Sequence, residues 1–182
     1  MHQPTPDSRT IWTIGHSNHS IDHFISMLSV TSISLVADVR RFPGSRRQPQ
    51  FAREILAQAL AVAGIKYQHF PDLGGLRKPR PDSSNNAWKN PSFRGYADYM
   101  RTPLFSAAVD QLLAFGNEPA RAVVMCAEAV WWRCHRMLLS DALSGRGVEV
   151  EHILGEARPQ RHRLTPFARV SDAGEVSYPG VI

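Results

Sequence analysis

The chain has 182 residues, of which 43% are apolar and 20% charged, the proportions of a soluble domain with room for one substantial core. No apolar run approaches the ~18 residues of a membrane span, and two cysteines do not make a disulfide framework, so a reduced, cytoplasmic protein is expected. The formal charge is +5, and all but three of the 21 basic residues (Lys66, Lys78 and Lys89) are arginine, which suits planar contact with phosphate and points to a polyanion such as nucleic acid.

Residues 1–10 are polar, contain Pro4 and Pro6, and are expected to be disordered, with no secretory signal. Ile11–Ile14 reads as a first strand ending at Gly15-His16-Ser17. Ser20 is placed to cap a helix with Ile21, Phe24, Ile25 and Leu28 on its apolar face. Ser34–Val39 is a second strand, followed by a Pro/Gly/Arg loop over 40–49. A helix near Phe51–Ala63 is expected to bury Phe51, Ile55, Leu56, Ala59 and Leu60, with Gly64 stopping it. Ile65–Phe70 is a third strand, and a long polar loop over 71–91 contains Gly74-Gly75-Leu76-Arg77-Lys78. Gly95–Phe115 is helical, broken at Pro103, with a stripe of Phe105, Ala108, Val109, Leu112 and Leu113.

Ala122–Met125 is an apolar fourth strand that runs into Cys126-Ala127-Glu128 and then Trp131-Trp132-Arg133-Cys134-His135-Arg136. Leu138, Leu139, Ala142 and Leu143 continue it at helical spacing. Val148–Leu154 is the fifth strand. Residues 158–182 form a basic extension in which Ala168–Val170 and Glu175–Tyr178 pair as a small hairpin. Strands alternating with helices predict a single α/β domain over 11–157, with a mainly parallel five-stranded sheet covered on both faces.

Parallel sheets of this kind bind ligands at the carboxyl ends of their strands. That edge is expected to gather His16, Asp38, Arg40, His69, Asp72, Cys126 and Glu128, with His152 late in the fifth strand. Asp38 and Glu128 are the candidate acid/base carboxylates. Asp38 equally suits a pair with a neighbouring arginine, and Glu128 a first-turn position on a helix dipole. Cys126, at a helix start beside arginine, has the surroundings of a nucleophilic thiolate as well as those of a packed thiol. Cys134 reads as a core residue inside the helix. The Cys-x7-Cys-His spacing matches no standard zinc pattern, so no metal and no cofactor are expected. Arg46, Arg47, Arg77 and Lys78, with the glycines Gly74 and Gly75, form anion-binding loops. Of Trp131 and Trp132 only one fits the core, so the other is offered for stacking. Tyr99, Arg133, His135 and Arg136 complete the nucleic-acid-binding set.

Five blocks in order, Thr13–Asn18, Asp38–Arg46, Leu73–Gly75, Phe93–Met100 and Cys126–Glu128 with Cys134–Arg136, resemble the bacterial family called domain of unknown function 488. The likeness runs from about Ile11 to Leu154. It implies a compact α/β domain whose blocks line one cleft, carried here by His16, Ser17, Asp38, Arg40, Arg46, Gly74, Gly75, Tyr99, Cys126, Glu128, His135 and Arg136. It names no reaction.

The residues themselves favour an enzyme acting on nucleic acid, DNA being the first choice. The most concrete form is a repair glycosylase in which Asp38 or Glu128 stabilises an oxocarbenium-like transition state, and His16 or His69 assists proton transfer. The alternatives are a thiol enzyme of sulfur-transfer or phosphatase-like type using Cys126, and a non-catalytic nucleic-acid-binding module.

Overall fold

The computed structural model describes residues 9–44, 46–117 and 120–180. Residues 1–8 of the expected disordered segment, Ser45 of the arginine loop and the last two residues of the C-terminal extension lie outside the described residues. Among the described residues eight strands and five α-helices follow in the order β1 (Thr10–Gly15), α1 (Ile21–Val30), β2 (Leu35–Asp38), α2 (Arg53–Val62), β3 (Lys66–His69), α3 (Pro91–Tyr99), α4 (Pro103–Phe115), β4 (Ala122–Cys126), α5 (Arg136–Gly145), β5 (Glu149–Ile153), β6 (Gln160–Arg161), β7 (Arg169–Val170) and β8 (Val176–Ser177).

The main sheet has the order β3-β2-β4-β1-β5-β6, and β7 and β8 form a separate antiparallel hairpin. The first five strands are parallel, as expected, and β6 adds an antiparallel edge that the sequence reading lacks. At two residues, β6 is too short to show an alternating pattern. β4 sits between β2 and β1 and all five of its residues are buried, which is why it reads as an unbroken apolar run.

Each helix forms where local signals agree. Ser20 accepts from the His23 N–H at the start of α1, and Asn90 and Thr102 cap α3 and α4, each followed by proline in the first turn. Pro103 does separate two helices, and α3 begins at Pro91, ahead of the expected Gly95. α2 starts only at Arg53, after a single 3-10 turn at Pro49–Phe51. Its inward stripe is Leu56 and Leu60, joined by Phe51 from the preceding turn, so Ile55, expected inside, is 51% exposed. Gly64 ends the helix with φ 74°, a left-handed conformation that favours glycine.

The apolar residues bury themselves in two layers. Phe24, Met27, Leu28, Phe51, Leu56 and Leu60 from the α1/α2 side pack under Trp12, Ile14, Val36, Val123 and Met125. Tyr96, Phe105, Val109, Leu112, Leu138 and Leu143 from α3, α4 and α5 cover the other face through Ala37, Val124 and Val150. Successive strand residues point to opposite faces, so β4 feeds both layers.

Behind β1 and β5 runs a buried polar chain. Thr13 Oγ1 lies 2.7 Å from His152 Nδ1, His152 Nε2 lies 2.9 Å from His162 Nδ1, and His162 Nε2 lies 2.9 Å from Asp141 Oδ1. Trp131 stacks on His152 with ring centroids 4.2 Å apart. Burial, reinforced by His162 and Arg136, pushes the His152 imidazole down to about 3. An unfolded histidine titrates near 6.5, so the stability of the neutral ring is fully present above that pH. It is lost as the pH falls from there toward the folded value. Unfolding free energy is therefore expected to drop by about 2 kcal/mol between roughly pH 7 and 4.5. Urea midpoints across that range check it; an acid slope unchanged in His152→Asn refutes it.

Candidate functional site

A cleft of about 300 Å³ opens at the carboxyl ends of β2 and β4. Its position follows from the strand register. Asp38 pairs with Met125 and Gly15 with Cys126, and the ladder continues past the strands through His16 N–H to the Cys126 carbonyl and Ser17 N–H to the Ala127 carbonyl. A Cβ on Gly15 would sit 1.8 Å from the Glu128 carbonyl oxygen. Only glycine lets the turn after β4 fold back so closely over β1. Arg40, Arg41 and Phe42 form one wall, Gly75, Leu76, Ser92 and Phe93 a second, and Cys126, Ala127, Glu128, Arg133, Cys134 and His135 the floor and third wall.

The turn from β4 to α5 departs from the sequence reading. Trp131–Arg133 is a 3-10 turn and Cys134 is extended, at φ −128° and ψ 153°, ahead of a helix that begins at Arg136. Cys134 therefore precedes the helix instead of lying inside it. It lines the cleft beside Cys126, both thiols being nearly buried. Cys134 Sγ lies 3.5 Å from His135 Nδ1 and accepts from the Arg136 N–H at 3.5 Å. A hydrogen bond from Cys126 holds the Cys134 thiol well below its ordinary range, His135 and Arg136 assisting, while the Cys126 thiol is pushed up by the same bond and by burial. The His135 ring is backed by Gly75, where a Cβ would fall 2.8 Å from Nδ1. Arg136, only 1% exposed, donates to the Glu128 carbonyl and so ties the turn to α5.

The two candidate carboxylates part company. Asp38 is fully buried behind Arg40 and accepts from the Arg40 Nε and NH2 groups at 2.9 and 2.6 Å, from the Arg40 amide at 3.0 Å and from Tyr67 OH at 2.7 Å. Four donors leave it no face toward the cleft, and its chemistry is to hold the guanidinium in place. Glu128 is exposed on the cleft wall.

His16 is buried, stacks on Phe51 at 4.2 Å, and is pushed down to about 4 by burial. Its Nδ1 donates to the Ser17 carbonyl at 2.9 Å and its Nε2 faces Arg40 NH1 at 3.2 Å. Both nitrogens are thus engaged, and the ring orients Arg40. His69 bonds the Arg40 carbonyl through Nε2 at 2.7 Å and opens onto a different hollow, shared with Arg53, Glu54 and Tyr67.

The anion-binding residues divide similarly. Arg40, Arg133, His135 and Gly75 line the cleft, joined by Arg41, which had not been singled out. Arg46, Arg47 and Lys78 lie exposed on their loops. Arg77 stacks on Tyr99, 3.7 Å above the ring, and donates to the Gly74 carbonyl, while Tyr99 OH donates to the Asp72 carbonyl. Trp132 is the exposed member of the tryptophan pair, 45% accessible, and Trp131 faces inward. Phe42 and Phe93 supply the aromatic walls; the sequence reading looked for stacking rings at Tyr99, Trp131 and Trp132 and passed over these two, although Arg41 and Arg94 adjoin them.

An α/β domain with paired thiols, an exposed carboxylate and guanidiniums at the carboxyl edge of its central strand is the class this geometry defines. The family described as Domain of unknown function DUF488 matches residues 20–143, and the chain belongs to it. No curated protein and no solved structure matches the chain. Among the described residues no helix is long and apolar enough to cross a membrane.

Proposed function

We propose that the cleft is the active site of a hydrolase acting on nucleic acid, in its most concrete form a glycosylase that cleaves a base–sugar bond with Glu128 as the working carboxylate. The observation that carries this reading is Glu128 standing exposed on a cleft wall that also holds the exposed Arg41 and Arg133, Arg40 being committed to Asp38 and the Phe51 carbonyl. Guanidiniums hold phosphates, and Phe42 and Phe93 offer faces for an unstacked base. A carboxylate beside the sugar both activates water and stabilises the positive charge that develops as the bond breaks. The earlier choice between Asp38 and Glu128 narrows to Glu128, because Asp38 spends its lone pairs on Arg40 and Tyr67.

The test is a panel of single- and double-stranded oligonucleotides, each with one damaged or mismatched base, scored for strand scission after alkali. Scission by the wild type is expected for at least one substrate, with Glu128→Gln slower by about 100-fold or more. Loss of activity in Cys126→Ser with Glu128→Gln unaffected transfers the chemistry to the thiols. Salt-dependent binding without scission across the whole panel leaves a binding module.

A further inference from the structure

We propose that Cys126, Cys134 and His135 bind a zinc ion at the floor of the cleft. One ligand atom from each lies within 4.8 Å of the other two. Tetrahedral zinc with two sulfurs and one imidazole nitrogen requires ligand separations of about 3.5–3.8 Å. The Cys134 Sγ to His135 Nδ1 distance, 3.5 Å, already has that value. The widest separation has to close by at most about 1 Å, which small side-chain rotations supply.

The three ligands come from elements fixed independently of any metal. Cys126 ends β4, where its carbonyl receives the His16 N–H at 2.9 Å. Cys134 and His135 stand at the start of α5, and Gly75 packs its backbone against the His135 ring. Two thiolates offset the charge of a divalent ion, so the neighbouring guanidiniums Arg40 and Arg136 do not oppose it. Sulfur and imidazole together select zinc over magnesium or calcium, which take oxygen ligands. The short span Cys134-His135, two ligands in adjacent residues, is what hid the site from spacing patterns.

Three protein ligands leave the fourth position open, as catalytic zinc sites do, and here it faces the cleft that Glu128 lines. Water bound there loses a proton near neutral pH. Glu128 accepts that proton and the remaining hydroxide attacks the substrate carbon. The leaving group departs with the bonding electrons and takes the proton back from Glu128. This chemistry rests on the hydrolytic reading above; the binding of the metal does not.

The full chain, expressed in zinc-supplemented medium and purified without a histidine tag or chelator, is expected to retain about one zinc per chain by elemental analysis. Cobalt exchanged into the site should give a thiolate-to-metal charge-transfer band. Cys126→Ser, Cys134→Ser and His135→Gln should each lose most of the metal, while Ser92→Ala and Glu128→Gln keep it. Folded wild type, verified by circular dichroism, that neither retains zinc nor gives the cobalt band overturns the proposal, whatever the variants do. Zinc retained in all three ligand variants overturns it too. Metal-free protein that still cleaves through Glu128 sinks the zinc's part in the chemistry and leaves the hydrolase standing; zinc-loaded protein that cleaves nothing sinks the hydrolase and leaves the zinc site.

Discussion

Asp38→Ala is expected to lower the unfolding free energy by about 3–5 kcal/mol, because it strands the buried Arg40 charge without its counter-ion. Arg40 is 6% exposed, and its Nε and NH2 groups both end on the Asp38 carboxylate. Removing the carboxylate also orphans Tyr67 OH, whose bond to Oδ2 is 2.7 Å. In a chain of this size the melting temperature should fall by on the order of 10 °C, read by calorimetry. Asp38→Asn, which keeps one acceptor of similar shape, should cost less. A double replacement of Asp38 and Arg40 by leucine and methionine should recover much of the loss, since apolar residues of like volume substitute for buried ion pairs. An Asp38→Ala protein of wild-type stability but without activity would instead make Asp38 a reacting carboxylate.

Asp141→Ala should be at least as damaging, by about 4 kcal/mol or more. The carboxylate is fully buried and is bonded by His162 Nε2 at 2.9 Å, the Thr165 amide at 3.0 Å, Thr165 Oγ1 at 2.6 Å and Tyr178 OH at 2.8 Å. Its loss leaves every one of these groups buried without that partner. Tyr178→Phe removes one donor and leaves the carboxylate three others, so about 1 kcal/mol is expected. Denaturant titration of the pair distinguishes the cases: equal losses in the two variants would mean that Asp141 contributes no more than one hydrogen bond.

Much of the architecture was legible because neighbouring residues announce it. The unbroken apolar run of β4, the Ser20 cap, the Gly64 stop and the break at Pro103 all act within a few positions of themselves. The hairpin of β7 and β8 was visible for the same reason. Ile55 shows the limit, since moving the helix start by two residues turns its stripe away from the core.

The cleft was legible only in part. Strand ends can be counted, so the convergence of Arg40, Cys126 and Glu128 followed from topology. Which side chain faces outward did not follow. The burial of Asp38 behind Arg40 depends on where a guanidinium folds back, and the meeting of Cys134 with Cys126 depends on a 3-10 turn whose Val130-Trp131-Trp132-Arg133 sequence carries no turn residue. The Thr13–His152–His162–Asp141 chain joins positions 13 to 162 and leaves no local trace.

Asp141 lies on α5, inside the matched stretch 20–143, while all four of its donor groups come from residues 162, 165 and 178. The matched stretch is accordingly expected not to fold as a unit by itself. A fragment cut at its downstream border would carry a naked anion in its own interior, and would be without β5, the strand that flanks β1. The segment that looks like an appendage is an internal counterweight.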